Sequence, residues 1–285
     1  MDGERVFSRE VTAQLRRIEL RTRGLVESLF SGEYRSVFKG RGMEFSDVRE
    51  YQPGDDVRAI DWNVTARRGR LFVKEHVEER ELSVLLIVDF SASNDFGTGP
   101  KRNVVIASEI AAILALAATD NNDRVGLLVV TDHVELYIPP DSGRRHAMRL
   151  VLELLSFCPS GRSTKLSAAL EYAAKVLHQK TAVFLISDFL LDDESDPPLA
   201  SDARRFSREH DLIPIRITDP GAATLPNVGL LALADPETGI RRVVNTSDDF
   251  VRQAYSEGRS GQRVAIDKLF RQLRMDAIEV TSTED

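Results

Sequence analysis

Asp89 closes the apolar run Val84-Leu85-Leu86-Ile87-Val88, and Ser91 and Ser93 follow it at alternate positions. A strand ending in Asp-x-Ser-x-Ser offers one carboxylate and two hydroxyls at its tip. Farther along, Thr164 stands in the loop PSGRSTK just before a helical pattern, and Asp188 ends the run FLIS much as Asp89 ends its own. In an open α/β sheet the loops at the carboxyl ends of the strands converge, so these five oxygen groups can meet at one edge. Their chemistry suits Mg2+, a small hard cation that takes oxygen ligands, keeps several waters and uses only one or two carboxylates. Mn2+ accepts the same donors. Hydroxyl ligands are neutral and leave the ion electrophilic, so that a carboxylate from outside can complete its coordination. The same residue types also form turns and helix N-caps, which Asp89 to Ser93 and Thr164 would satisfy without any ion. The combination of Thr164 and Asp188 with the Asp-x-Ser-x-Ser stretch favours the metal arrangement.

A sheet must position these groups, and the order of elements supplies one. Val11, Leu15, Ile18, Leu25 and Leu29 fall on one face of an N-terminal helix, which Gly32 would stop. Residues 32–70 are rich in Gly, Asp and Arg around the turn QPGDD, an irregular stretch with short strands. From Leu71 the pattern becomes regular. LFVKEHVEERELSVLLIVDF reads as extended, KRNVVIASEIAAILALAATD as a helix, and RVGLLVVTD with VELYIPP as two strands joined tightly at Asp132 and His133. Helices over RRHAMRLVLELLSF, TKLSAALEYAAKVLH and ASDARRFSREH then alternate with strands AVFLISDF and DLIPIRIT. The hairpin LPNVGLLALADPETGIRRVVNT follows, then a helix over 249–274 interrupted by SEGRSGQ, and a last strand in DAIEVTS. The expected fold is a doubly wound α/β sheet of Rossmann type, mostly parallel with helices on both faces. Residues 1–80 form an N-terminal extension and 81–285 the α/β domain.

The motifs DFSAS, GRSTKLSAAL and LISDF, in that order, resemble the three loops of a von Willebrand factor type A domain, whose metal-ion-dependent adhesion site reads Asp-x-Ser-x-Ser, Thr, Asp. The stretch from GRGMEFSDVREYQPGDDVRAIDWNVTARRGR through LLIVDFSAS resembles the bacterial family catalogued as domain of unknown function 58, with similarity from about Gly32 to the C-terminus. The resemblance implies a type A fold with metal ligands Asp89, Ser91, Ser93, Thr164 and Asp188. It also implies a partner system, since such proteins are usually encoded beside MoxR-type AAA+ ATPases and are thought to act in chaperone-like maturation or stress responses. Asn94 stands where many type A domains carry Met. Some relatives begin with membrane-spanning segments, and this sequence shows none.

Composition narrows the classes. A net charge of -7 argues against nucleic-acid binding, which needs clustered Lys and Arg on phosphates. Residues 1–80 hold 16 Lys/Arg and 15 Asp/Glu, leaving 22 and 30 of the totals 38 and 45 for the rest. The single cysteine, Cys158, lies in an apolar stretch, forms no intramolecular disulfide and is expected to be buried. MDGERVFSRE has no signal-peptide core and IAAILALAA is too short to cross a bilayer, so a cytoplasmic protein is expected. Around QPGDD, Asp55, Asp56 and Asp61 with Arg41, Arg49, Arg58, Arg67 and Arg68 suit an ion-pair network anchored by a buried Trp62, or, as the competing reading, a partner-binding surface. His76, His133, His146, His178 and His210 show no metal spacing and are expected at the surface or at helix ends. FGTGPKRN lacks the Gly-Lys-Ser/Thr ending of a phosphate loop.

The expected function is a non-enzymatic, metal-dependent protein-binding module, an adaptor of a MoxR-type ATPase. The alternatives are a Mg2+-dependent phosphatase or hydrolase, for which no acid, base or nucleophile is evident, and a scaffold without metal.

Overall fold

The run SVLLIVD becomes a strand buried at every position, because residues without a polar face pack on both sides of a sheet. The computed structural model describes residues 48–52, 55, 57, 60–74, 81–190 and 196–282, and the expected helix over 8–31 lies outside them. The chain divides into two units, one over Arg23–Glu81 and one whose described part is 82–282.

In the first unit β1 (Val48–Glu50) pairs antiparallel with β2 (Phe72–Lys74), and α1 (Trp62–Arg68) lies between them in sequence. Asp61 starts that helix: its Oδ1 accepts from Asn63 N at 2.9 Å and Val64 N at 3.1 Å. Gly69 ends it at φ +69, a left-handed conformation that glycine adopts without cost. Trp62 is not the buried anchor expected. It is 66% exposed at the first turn of α1, a helix with no buried residue, and Ile60, Phe72 and Val73 are the buried apolar residues instead. Asp55 closes the QPGDD turn by accepting from Gln52 N at 2.8 Å. Glu50 and Arg70 form an ion pair at 2.9 Å, and the Arg68 guanidinium lies 5.3 Å from the Phe72 ring centre. Arg41, Asp56 and Arg58 lie outside the described residues, as does the side chain of Arg49.

The second unit carries the large sheet. Its strands are β3 (Ser83–Asp89), β4 (Arg124–Val130), β5 (Val134–Asp141), β6 (Ala182–Ser187), β7 (Asp211–Thr218) and β10 (Ile278–Thr281). They lie in the order β10-β7-β6-β3-β4-β5, and all pairs are parallel except β4 with β5. That exception follows from the tight turn at Asp132 and His133, since parallel neighbours need a long crossover. The chain starts at β3, moves outward through β4 and β5, then returns to β3's other side with β6. The two central strands therefore flank a topological switch point, where a crevice opens at their carboxyl ends.

The crossovers are α2 (Asn103–Asp120), α3 (Arg144–Ser156), α4 (Leu166–Val176) and α5 (Leu199–Phe206), and α6 (Asp249–Leu273) precedes β10. Leu85 and Ile87 of β3 pack with Leu166 and Leu170 of α4, Phe206 of α5 and Phe270 of α6. Alternation along the strand turns Val84, Leu86 and Val88 to the opposite side, where α2 meets the sheet. Ala107, Ala111, Ala112, Ala115 and Ala118 of α2 are fully buried, which explains its near-continuous apolarity. Among the described residues α2 is the one helix whose length and composition would also suit a membrane. A separate two-stranded hairpin, β8 (Leu230–Ala234) with β9 (Arg241–Asn245), follows β7.

Two further expectations need correction. α6 runs through SEGRSGQ without a break, because Gly258 and Gly261 cost a helix only about 1 kcal/mol each and Ile266 and Phe270 anchor its second half in the core. Cys158 is exposed, since α3 ends at Ser156 and the apolar face ends with it. His210 follows a helix end, as expected, and is buried there, its ring 4.6 Å from that of Phe206, with neither ring nitrogen hydrogen-bonded.

Burial lowers the His210 pKa against the smaller upward pull of Glu209 and Asp211. An imidazole depressed in the folded state costs stability as pH falls below about 6.5, where the unfolded chain takes up a proton that the buried ring refuses. Urea unfolding at pH 7.5 and 5.5 is expected to show a loss of at most about 1.4 kcal/mol per pH unit from this group. His210→Leu is expected to remove that part of the pH dependence, and an unchanged slope would refute it.

Candidate metal centre

Asp89 and Asp188 reach the same place because their strands are neighbours. The β3–β6 register pairs Val88 with Ile186, so the next step sets Asp89 beside Ser187, with Asp188 one residue beyond. Asp89 is fully buried; its Oδ1 accepts from Ser91 N at 2.8 Å and its Oδ2 from Ser187 Oγ at 2.7 Å. The first contact is the turn that the polar strand end also predicts. Asn94 is buried and donates from Nδ2 to the Asp89 carbonyl at 2.8 Å, which holds the turn closed.

Two backbone bonds hold the Thr164 loop, one to that turn and one to the end of β4. Ala92 N donates to Arg162 O at 2.8 Å, and Lys165 N donates to Thr131 O at 2.9 Å. Gly161 is required here, since a Cβ would stand 2.1 Å from Asp132 Oδ1 and 2.3 Å from Thr131 Oγ1. Thr164 does not cap α4. The cap position is Lys165, which makes no side-chain cap bond, and Asp196 Oδ2 accepts from Ser167 N at 2.7 Å instead. The Thr164 hydroxyl is therefore released toward the crevice. Ser91 Oγ lies 3.1 Å from Ser93 Oγ, which lies 3.4 Å from Thr164 Oγ1.

The five predicted residues thus converge, three hydroxyls in a chain with two buried carboxylates. Asp188 is 5% exposed; its Oδ1 accepts from Leu190 N at 3.1 Å, while Oδ2 is buried without a partner. Burial raises the pKa of Asp89 against the hydrogen bonds from Ser187 and Ser91. Burial, and then the charge of Asp89, push Asp188 up to about 7. Two buried carboxylates destabilise each other, a repulsion that the charge of Arg259 offsets only in part, and an orphaned buried oxygen costs about 1–3 kcal/mol or more. Among the described residues no three His, Cys, Asp or Glu side chains form a metal cluster by themselves, so the set depends on its hydroxyls. Two carboxylates and three hydroxyls are the donors a small hard cation takes, and the residues present fit Mg2+ or Mn2+. Beside them lies a cavity of 390 Å³ lined by Ser93, Asp188, Phe189, Pro236, Tyr255 and Arg259.

Residues 47–265 match the family described as "Protein of unknown function DUF58". The chain belongs to the DUF58 family. This DUF58 chain is 32% identical over 253 residues to the uncharacterized protein Rv1480 of Mycobacterium tuberculosis, covering 86% of this chain and 78% of that one. It is 41% identical over 109 residues to the uncharacterized protein YeaD of Bacillus subtilis, covering 38% and 25%. Among solved structures it is similar to an aerotolerance-related membrane protein from Bacteroides fragilis (17% identity, TM-score 0.44, covering 67% of this chain and 99% of that one). The von Willebrand factor type A protein from Catenulispora acidiphila is also similar (17% identity, TM-score 0.37, covering 66% and 44%). At these scores the architecture stands on the strand order and directions described above.

Sequence reasoning missed three residues that contact these five: Ser187, on Asp89; Arg162, whose carbonyl accepts from Ala92 N; and Glu237, which accepts from Thr164 Oγ1 at 2.8 Å. Ser187 was legible in principle, as the hydroxyl directly before Asp188 on a strand beside β3. Arg162 and Glu237 were not, because the turn DPETG shows a hairpin but not where its tip lands.

Proposed function

We propose that this DUF58 chain is a metal-dependent protein-binding module in which Ser91, Ser93 and Thr164, with Asp89 and Asp188, hold Mg2+ or Mn2+ for contact with a partner's Asp or Glu. The observation that carries this reading is the buried, unpartnered Asp188 Oδ2, close enough to Asp89 to feel its charge, in a site that also holds a chain of three hydroxyls. The ion would supply positive charge directly at the buried carboxylates, beyond the pull of Arg259, and an acceptor for a carboxylate. The protein supplies the orientation: Ser187 and the Ser91 amide fix Asp89, Leu190 N fixes Asp188, and the Ala92–Arg162 bond fixes the two loops. The cavity beside Ser93 and Asp188 offers room for an entering side chain. Family resemblance adds a MoxR-type AAA+ ATPase as the partner system.

Calorimetric titration with Mg2+ and with Mn2+ tests the ion. Ser91→Ala and Thr164→Val are each expected to weaken binding about 10–100-fold while thermal unfolding shows a folded protein. Equal affinity in all three proteins, or no heat in any, would refute the site. A purified MoxR-type ATPase is expected to bind the wild type in Mg2+ and to be released by chelator.

A further inference from the structure

The β8–β9 hairpin brings a carboxylate of this chain to the same crevice. Glu237, at its tip, accepts a hydrogen bond from Thr164 Oγ1 at 2.8 Å across 73 residues of sequence. Arg162, two residues before Thr164, donates from Nη2 to Pro236 O at 3.1 Å, so one loop grips two adjacent residues of the tip. Residues 234–240 are exposed except Glu237, which is half-buried.

The turn does not need that contact to form. Asp235 Oδ1 accepts from Glu237 N at 2.9 Å, Asp235 Oδ2 accepts from Thr238 Oγ1 at 2.6 Å, and Gly239 N donates to Asp235 O at 2.8 Å. The tip is therefore built from its own residues, and the glutamate side chain is left free to reach outward. Nothing in the turn's geometry calls for an acid at 237.

Where the glutamate reaches is unfavourable for an acid by itself. Asp89 and Asp188 already occupy the crevice, and like charges there repel. A third carboxylate, held on the Thr164 hydroxyl and with its charge also acting on Asp89 and Asp188, becomes favourable when a divalent cation lies at that hydroxyl. We infer that Glu237 is a carboxylate of this chain built into the cation site, holding the place that a partner's carboxylate takes, and that the hairpin must lift before a partner binds. This rests on the metal reading given above. The hairpin suits such a movement. Its strands pair only with each other, apart from the six-stranded sheet, and a two-stranded hairpin is marginal by itself.

Mn2+ serves as the probe, because the relaxation of solvent protons reports how many exchanging waters the bound ion keeps. In Glu237→Gln, Mn2+ is expected to bind about tenfold more weakly and to relax water faster, because water displaces a neutral amide more readily than a carboxylate. Added acetate is expected to bind the ion readily in the variant and to lower that relaxation, and to have little effect in the wild type. Mn2+ affinity, relaxation and acetate response that are the same in both proteins would overturn the inference while leaving the cation site intact. Absence of Mn2+ binding in both proteins would overturn the cation reading and the inference with it.

Discussion

Asp188→Asn is expected to make the protein more stable in chelator and blind to Mg2+. In the metal-free wild type at pH 8, above the value of about 7 to which burial and Asp89 push Asp188, the buried Asp188 carboxylate is charged. Asp89 has hydrogen bonds at both oxygens, whereas Asp188 has one at Oδ1 and none at Oδ2. Asparagine keeps an oxygen for Leu190 N and removes the charge. The gain is expected to be about 2–4 kcal/mol, the scale of relieving one unpartnered buried carboxylate of its charge. Millimolar Mg2+ then reverses the order. The wild type gains about 2.7 kcal/mol for a hundredfold excess over the dissociation constant, and the variant gains nothing. Urea unfolding in chelator and in Mg2+ measures both arms. A variant less stable than wild type in chelator would mean that the protein already balances the Asp188 charge without an ion, and the prediction would fail.

Leu86→Ala is expected to cost about 3–5 kcal/mol, the upper part of the range for truncating one core leucine. Leu86 is 0% exposed at the middle of β3, paired in register with Leu127 of β4 and Phe184 of β6. A central strand with neighbours on both sides and helices on both faces cannot collapse into the space a lost isobutyl group leaves. The cost is thus transfer plus an unrelieved cavity. Against a total stability of about 5–15 kcal/mol, this leaves the protein marginal. Val243→Ala on β9, where the side chain is 69% exposed, is expected to change stability by no more than about 0.5 kcal/mol. Urea midpoints at constant slope distinguish the two, and a Leu86→Ala loss below about 1.5 kcal/mol would contradict the central placement of β3.

Much of this molecule is legible in its sequence because the relevant signals are local. Runs such as SVLLIVD and AVFLIS must be covered on both faces, and the alternation of such runs with helices dictates parallel strands and a crevice at their ends. That reasoning reached Asp89, Ser91, Ser93, Thr164 and Asp188 from residue type and position alone. It failed where the outcome depends on what a segment meets in space. Trp62 is exposed because the cluster of Ile60, Phe72 and Val73 leaves it outside, and α6 survives two glycines because distant core contacts hold it. Tertiary structure alone decided that Asp196 caps α4 and so frees Thr164, that Ser187 satisfies Asp89, and that the DPETG turn delivers Glu237 to the crevice. Hydrophobic periodicity is written within a few residues of chain. A hydrogen bond across 29, 98 or 73 residues is specified only when the sheet is assembled.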